Sequence, residues 1–128
     1  MDVTRTPSPK RVLAFGSPLW GEADTEPVAD ALARVWSPDT VLVVAVAERG
    51  AAPLVEQCWT AWGGQVERHK LLWAEFGGTA PRKRLAAMLA KGAVGALGFA
   101  AGDTMVEANL AAAKAAGVPT RLVRGRRP

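Results

Sequence analysis

Thr40-Val41-Leu42-Val43-Val44-Ala45-Val46 says most about how this chain folds. Six apolar residues follow Thr40 without polar alternation, and four of them are β-branched. A strand facing water on one side would alternate, so this one is covered on both faces, as in a parallel sheet. Ser37-Pro38-Asp39 precedes it and ends a helical pattern in which Val28, Ala31, Leu32, Val35 and Trp36 recur at helical spacing. Asp24 and Thr25, just before Pro27, announce that helix. Arg49-Gly50 breaks the strand, Pro53 suits the first turn of a second helix through Trp62, and Gly63-Gly64 stops it.

The same alternation continues in both directions. Arg11-Val12-Leu13-Ala14-Phe15, closed by Gly16, reads as a buried first strand. Val66-Glu67-Arg68-His69 reads as a weak third strand at a sheet edge, followed by a loop with Trp73 and Gly77-Gly78. Thr79 is placed to cap a third helix from Pro81, with Leu85, Met88 and Leu89 on one face. Ala93 to Phe99 is a fourth strand, Thr104 opens a fourth helix to Ala116 closed by Gly117, and Val118 to Val123 is a fifth strand. Strands alternating with helices imply parallel strands and right-handed crossovers. The expected fold is α/β: one Rossmann-like three-layer domain with a five-stranded parallel sheet, in the order 3-2-1-4-5 if the first strand is central. A crevice then opens between strands one and four, where chain direction reverses. The domain is expected over residues 11–123, between an N-terminal tail (1–10) and a basic C-terminal tail (124–128).

Composition restricts the function. With 49% apolar and 22% charged residues, the chain has the balance of a globular domain. No apolar run reaches the length of a membrane span and the first ten residues lack a secretion signal, so a cytoplasmic protein is expected. The net charge is +4, but residues 1–11 carry +2 and residues 121–128 carry +4, leaving 12–120 at −2. Basicity in short end segments argues against a nucleic-acid face. Cys58 and His69 each stand alone, so no metal site and no cofactor is expected.

Two turns should flank the crevice. Gly16-Ser17-Pro18-Leu19-Trp20-Gly21 follows strand one, where glycine permits close backbone approach and Ser17 can donate a hydrogen bond. Gly102-Asp103-Thr104 leads from strand four into a helix whose free amides favour an anion. Thr104 and Glu107 have the spacing of a capping box, and the same glutamate would face the crevice. Arg82-Lys83-Arg84 opposes the dipole of the third helix unless something anionic lies nearby. Trp36, Trp59 and Trp62 fit packing; Trp20, and after it Trp73, could stack on a base.

These residues resemble a known family. Residues 11–20 look like the opening of the short YspA-like branch of the SLOG superfamily, where a first strand runs into Gly-Ser-Arg and a tryptophan. Glu48-Arg49-Gly50-Ala51 resembles the family's Gly-Gly-Ala-Arg-Gly-Ala-Asp turn, Arg84 to Met88 its Arg-x-x-x-Met spacing, and Gly117-Val118-Pro119 its last turn. Related phosphoribohydrolases, the lonely guy group, use Pro-Gly-Gly-x-Gly-Thr-x-x-Glu and an arginine on the preceding helix. Thr104, Glu107 and Arg84 match these by spacing. The resemblance implies a ligand site of Gly16, Ser17, Trp20, Arg49, Gly50, Arg84, Gly102, Asp103, Thr104 and Glu107. In an enzyme, Arg84 would contact the ligand and Glu107 would stabilise charge on a departing ribose. It also implies a homo-oligomer, a dimer or larger. The chain departs from the pattern at Pro18, Val46, Ala47, Ala52, Leu85, Ala100, Ala101 and Asp103. Added Cβ atoms and a carboxylate obstruct a phosphate, which favours non-catalytic binding of a nucleotide-like molecule. The alternatives are a nucleoside-monophosphate N-glycosidase and a structural subunit.

Overall fold

The structure, a computed structural model, describes residues 10–102 and 104–124. Five strands, β1 (Lys10–Gly16), β2 (Thr40–Ala45), β3 (Gln65–His69), β4 (Gly95–Ala100) and β5 (Thr120–Arg124), form one sheet in the order β3-β2-β1-β4-β5. All four pairings are parallel. The expected α/β fold, Rossmann-like with β1 central, is the one observed. The first and last strands along the chain include Lys10 and Arg124, one residue beyond the expected domain at each end. Among the described residues no helix is long and apolar enough to cross a membrane.

Helices cover both faces, so the central strands are apolar throughout. On one face Val12, Ala14, Leu42, Val44, Leu97 and Phe99 pack with residues of α1 (Thr25–Ala33) and α2 (Ala51–Ala61). Trp59 of α2 is buried, stands edge-on to Trp36 and donates its indole N–H to the Gln65 carbonyl at 3.0 Å. On the other face Leu13, Phe15, Val43, Ala96 and Ala100 pack with residues of α4 (Ala80–Ala90) and α5 (Thr104–Ala115).

Two local expectations change. The segment after β3 is not all loop: Trp73–Phe76 forms a one-turn helix, α3. Thr79 does not cap α4 with its side chain; its hydroxyl donates to the Phe76 carbonyl at 2.7 Å, tying α4 to α3 instead. Helix α2 begins at Ala51, so Pro53 stands in its first turn as expected, and the Ser17 carbonyl accepts the Ala51 amide at 2.9 Å and satisfies the helix start.

Arg11, counted with the basic N-terminal segment in the charge tally, is a buried structural cation, 8% exposed. Its guanidinium grips Glu67 of β3 through two nitrogens, at 2.5 and 3.3 Å, in fork geometry. It also donates to the Met88 and Gly92 carbonyls at 3.1 and 2.6 Å, where α4 ends. A cation there satisfies unpaired carbonyls and complements the helix dipole. The Arg11 hydrogen bond, helped by His69 and opposed by burial, holds the Glu67 carboxyl down from 4.5 to about 2.

A carboxyl with a depressed folded pKa stabilises the fold above its unfolded value, and that contribution disappears as pH falls through the folded one. Glu67→Gln is therefore expected to lose about 1–3 kcal/mol at pH 7 in urea unfolding. Its deficit against the wild type should shrink between pH 4.5 and about 2. A deficit independent of pH would show that the ion pair is not its source.

Candidate functional site

The two crevice turns lie side by side, as the strand order requires. Gly16 stands beside Phe99 in register, and the Ser17 amide donates to the Phe99 carbonyl at 2.9 Å. That bond occupies the Ser17 amide, which is therefore not offered to a ligand. The residue is fully buried: its carbonyl holds the Ala51 amide, and its hydroxyl accepts from the Leu19 amide at 3.1 Å. Ser17 is a structural hub.

Trp20 is likewise corrected. It is 3% exposed, its indole N–H donates to the Ala100 carbonyl at 3.0 Å, and its ring stands edge-on to Phe99 with centroids 5.5 Å apart. The indole thus lies across the ends of β1 and β4 with no face left for a base. Gly50 has φ +91°, and a methyl group there would collide with the Ser17 carbonyl and with Pro18. Its glycine serves the packing of two turns, while Arg49 beside it is exposed. A Cβ on Gly16 would sit 2.7 Å from the Ala52 nitrogen, so close packing explains this glycine too.

The second turn is more open. Gly102 is exposed at φ +88°, and a Cβ there would meet nothing within 4 Å. Asp103 lies outside the described residues. Thr104 is already the first helical residue, so the expected capping box does not start at the cap position. Glu107 is exposed on α5.

Arg84 is the expected residue around which open space collects. It lines two cavities, one on each flank of α4. The larger, about 430 Å³, lies between the end of β3 and the α3–α4 segment. Lys70, Lys83 and Arg84 supply cations, and Leu72, Phe76 and Ala87 supply apolar wall. The smaller, about 110 Å³, reaches the ends of β1 and β2 at Phe15 and Ala45, with Met105 and Asn109 from α5. Neither of these two includes Ser17, Trp20, Arg49, Gly102 or Glu107 among its lining residues, so Glu107 joins Arg84 in neither of them.

The charges of the larger cavity are uneven. Arg68 is paired with Glu56 of α2, and the His69 ring contacts Glu67 at 2.6 Å. Lys83 lies 5.7 Å from the centre of the Phe76 ring. Among the described residues no carboxylate pairs with Lys70, Lys83 or Arg84. Burial lowers the pKa of Arg84, the mark of a cation that has lost water without gaining an anion. An anionic group in the cavity would relieve both the desolvation and the crowding of like charge.

Lys83 was visible in the run of three cations and His69 only as a lone histidine on the third strand; Lys70, Leu72 and Phe76 carried no local signal. The available signal was topological: in the order 3-2-1-4-5, residues following β3 emerge at the same sheet end as those following β1. Asn109 gave no signal, since a lone asparagine on an amphipathic helix reads as surface.

Gly50→Ala should cost about 1–3 kcal/mol, the usual size of such backbone strain. Arg49→Ala, one residue away, should stay within about 0.5 kcal/mol. Thermal unfolding of both variants checks the contrast, and equal effects would contradict the packing role given to Gly50. No family model, curated protein or solved structure matches this chain.

Proposed function

We propose that this protein binds a phosphorylated, nucleotide-like small molecule, without turning it over, in the cavity between β3 and α4. One observation carries the reading: Lys70, Lys83 and Arg84 converge on about 430 Å³ of space with no compensating carboxylate among the described residues. Small-molecule sites fall in this size range, roughly 300–1,000 Å³, and combine apolar walls with a few polar groups. Leu72 and Phe76 provide the walls, and the Phe76 ring offers an aromatic surface to a sugar or base.

Membership of the SLOG superfamily, a cytoplasmic setting and a homo-oligomer belong to the same proposal. They rest on the resemblance of residues 11–123 and on the position of Arg84. Turnover is the weaker alternative, because Glu107 lines neither cavity to which Arg84 belongs. The assembly-subunit reading draws on a different observation: Leu72, Trp73 and Phe76 leave a run of large apolar surface around α3, with Trp73 55% exposed. Such a patch suits a second copy of the chain.

Calorimetric titration with UMP, CMP, AMP and ribose 5-phosphate tests the proposal. At least one nucleotide is expected to bind, more weakly as salt rises. Lys83→Ala and Arg84→Ala should each weaken it about tenfold or more, the scale of one charge-assisted hydrogen bond. No free base should accumulate. Absence of binding to all four probes, with a stable oligomer in native mass spectrometry, would replace this reading with the assembly subunit.

A further inference from the structure

Glu67 and His69 stand two residues apart on β3 and so share one face of the strand. The His69 Nε2 lies 2.6 Å from Glu67 Oε2, and the same oxygen accepts from the Arg11 guanidinium at 2.5 Å. Arg11 keeps that carboxyl ionised at neutral pH, so it can only accept, and the imidazole donates from Nε2. This fixes the tautomer of the neutral ring and leaves Nδ1 as the nitrogen open to a ligand. Among the described residues no hydrogen bond engages Nδ1. His69 also lines the basic cavity, about 430 Å³, together with Lys70, Lys83 and Arg84. The clamp that fastens α4 thus extends, through one carboxylate, to a histidine at the proposed anion site.

We propose that His69 is a fourth cation of this site, taking up a proton from solvent as the ligand arrives and donating Nδ1–H to its phosphate group while Glu67 holds Nε2. The inference rests on the phosphate-binding reading above and adds to it a binding residue and a pH dependence. In the empty cavity the charges around the ring oppose one another: Glu67 favours the imidazolium, and Lys70, Lys83 and Arg84 disfavour it. Arg11 is engaged by Glu67, and Arg68 by Glu56. Glu48, Arg49, Glu75 and Arg82, on neighbouring segments, do not line the cavity. A phosphate among the cations offsets their repulsion, so that the charged ring is favoured from both of its nitrogens. Proton and ligand then strengthen each other's binding by the same factor. Binding is tighter in acid, where the ring is charged, and the gain is lost as pH rises through the titration of the bound imidazole.

The chain has one histidine, so its imidazole resonances report His69 alone. The full chain is titrated by proton NMR between about pH 5 and pH 9, free and saturated with whichever of UMP, CMP, AMP and ribose 5-phosphate binds in calorimetry. The ligand is expected to raise the imidazole midpoint by about one unit, the counterpart of a roughly tenfold preference for the charged ring. In calorimetry His69→Gln should weaken binding about tenfold near pH 6 and by less than about twofold near pH 8.5. Comparing the two chains at one pH cancels the titration of the phosphate itself. The NMR midpoint is read on the unaltered chain, so it stands whether or not the variant folds. Binding that leaves the midpoint unmoved, or a loss in His69→Gln that is equal at both pH values, would overturn the proposal and leave the cationic site standing. No binding of any probe would remove both.

Discussion

Helix α4 carries Arg84 and Lys83, yet buries little of itself: among its residues only Ala80 and Met88 are buried. Apolar packing alone therefore holds it weakly. The polar grip of Arg11 makes up the difference. From β1 this guanidinium spans Glu67 on β3 and the carbonyls of Met88 and Gly92 at the end of α4. Removing either charge would leave the other with too few partners in a partly dry setting, where an unpaired charge costs most. The position of the cations at the far end of α4 follows from this fastening at its near end.

A second constraint acts at the junction of β1 and β4. The strand order leaves a gap there, the usual place for a ligand in an open α/β sheet. Here Trp20 lies across it, bonded to the Ala100 carbonyl and packed on Phe99, and Ser17 binds across it through its amide. The large cavity lies elsewhere, beside the edge strand β3, and is lined from the end of β3, from Leu72 and Phe76, and from α4. Packing of the first turn and the location of the proposed site are thus two sides of one arrangement.

The electrostatics separate structural charge from available charge. Glu56 answers Arg68, and Glu67 answers Arg11 and touches His69. These carboxylates stand on α2 and β3 and point to partners already present. Lys70, Lys83 and Arg84 have no such partner among the described residues. A basic cavity of this kind attracts an anion over several ångströms before contact, in a manner that salt weakens.

The apolar patterning of the chain was enough to read the sheet, and its order once the first strand was set at the centre. An unbroken apolar run such as residues 41–45 is satisfied between two helical layers, and short crossovers of one hand allow few arrangements. The sequence also located the pair of turns and the cationic run at 82–84. What each of those residues does depends on contacts made in the folded chain. Whether Ser17 offers its amide or spends it depends on the Phe99 carbonyl, 82 positions away in the chain. Trp20 is a core residue because Ala100 and Phe99 meet it, and Arg84 borders open space that residues of other elements, such as Phe76 and Asn109, line with it. Local patterning is written in neighbours along the chain, while vacancy and hydrogen-bond occupancy are set by groups that become neighbours only after folding.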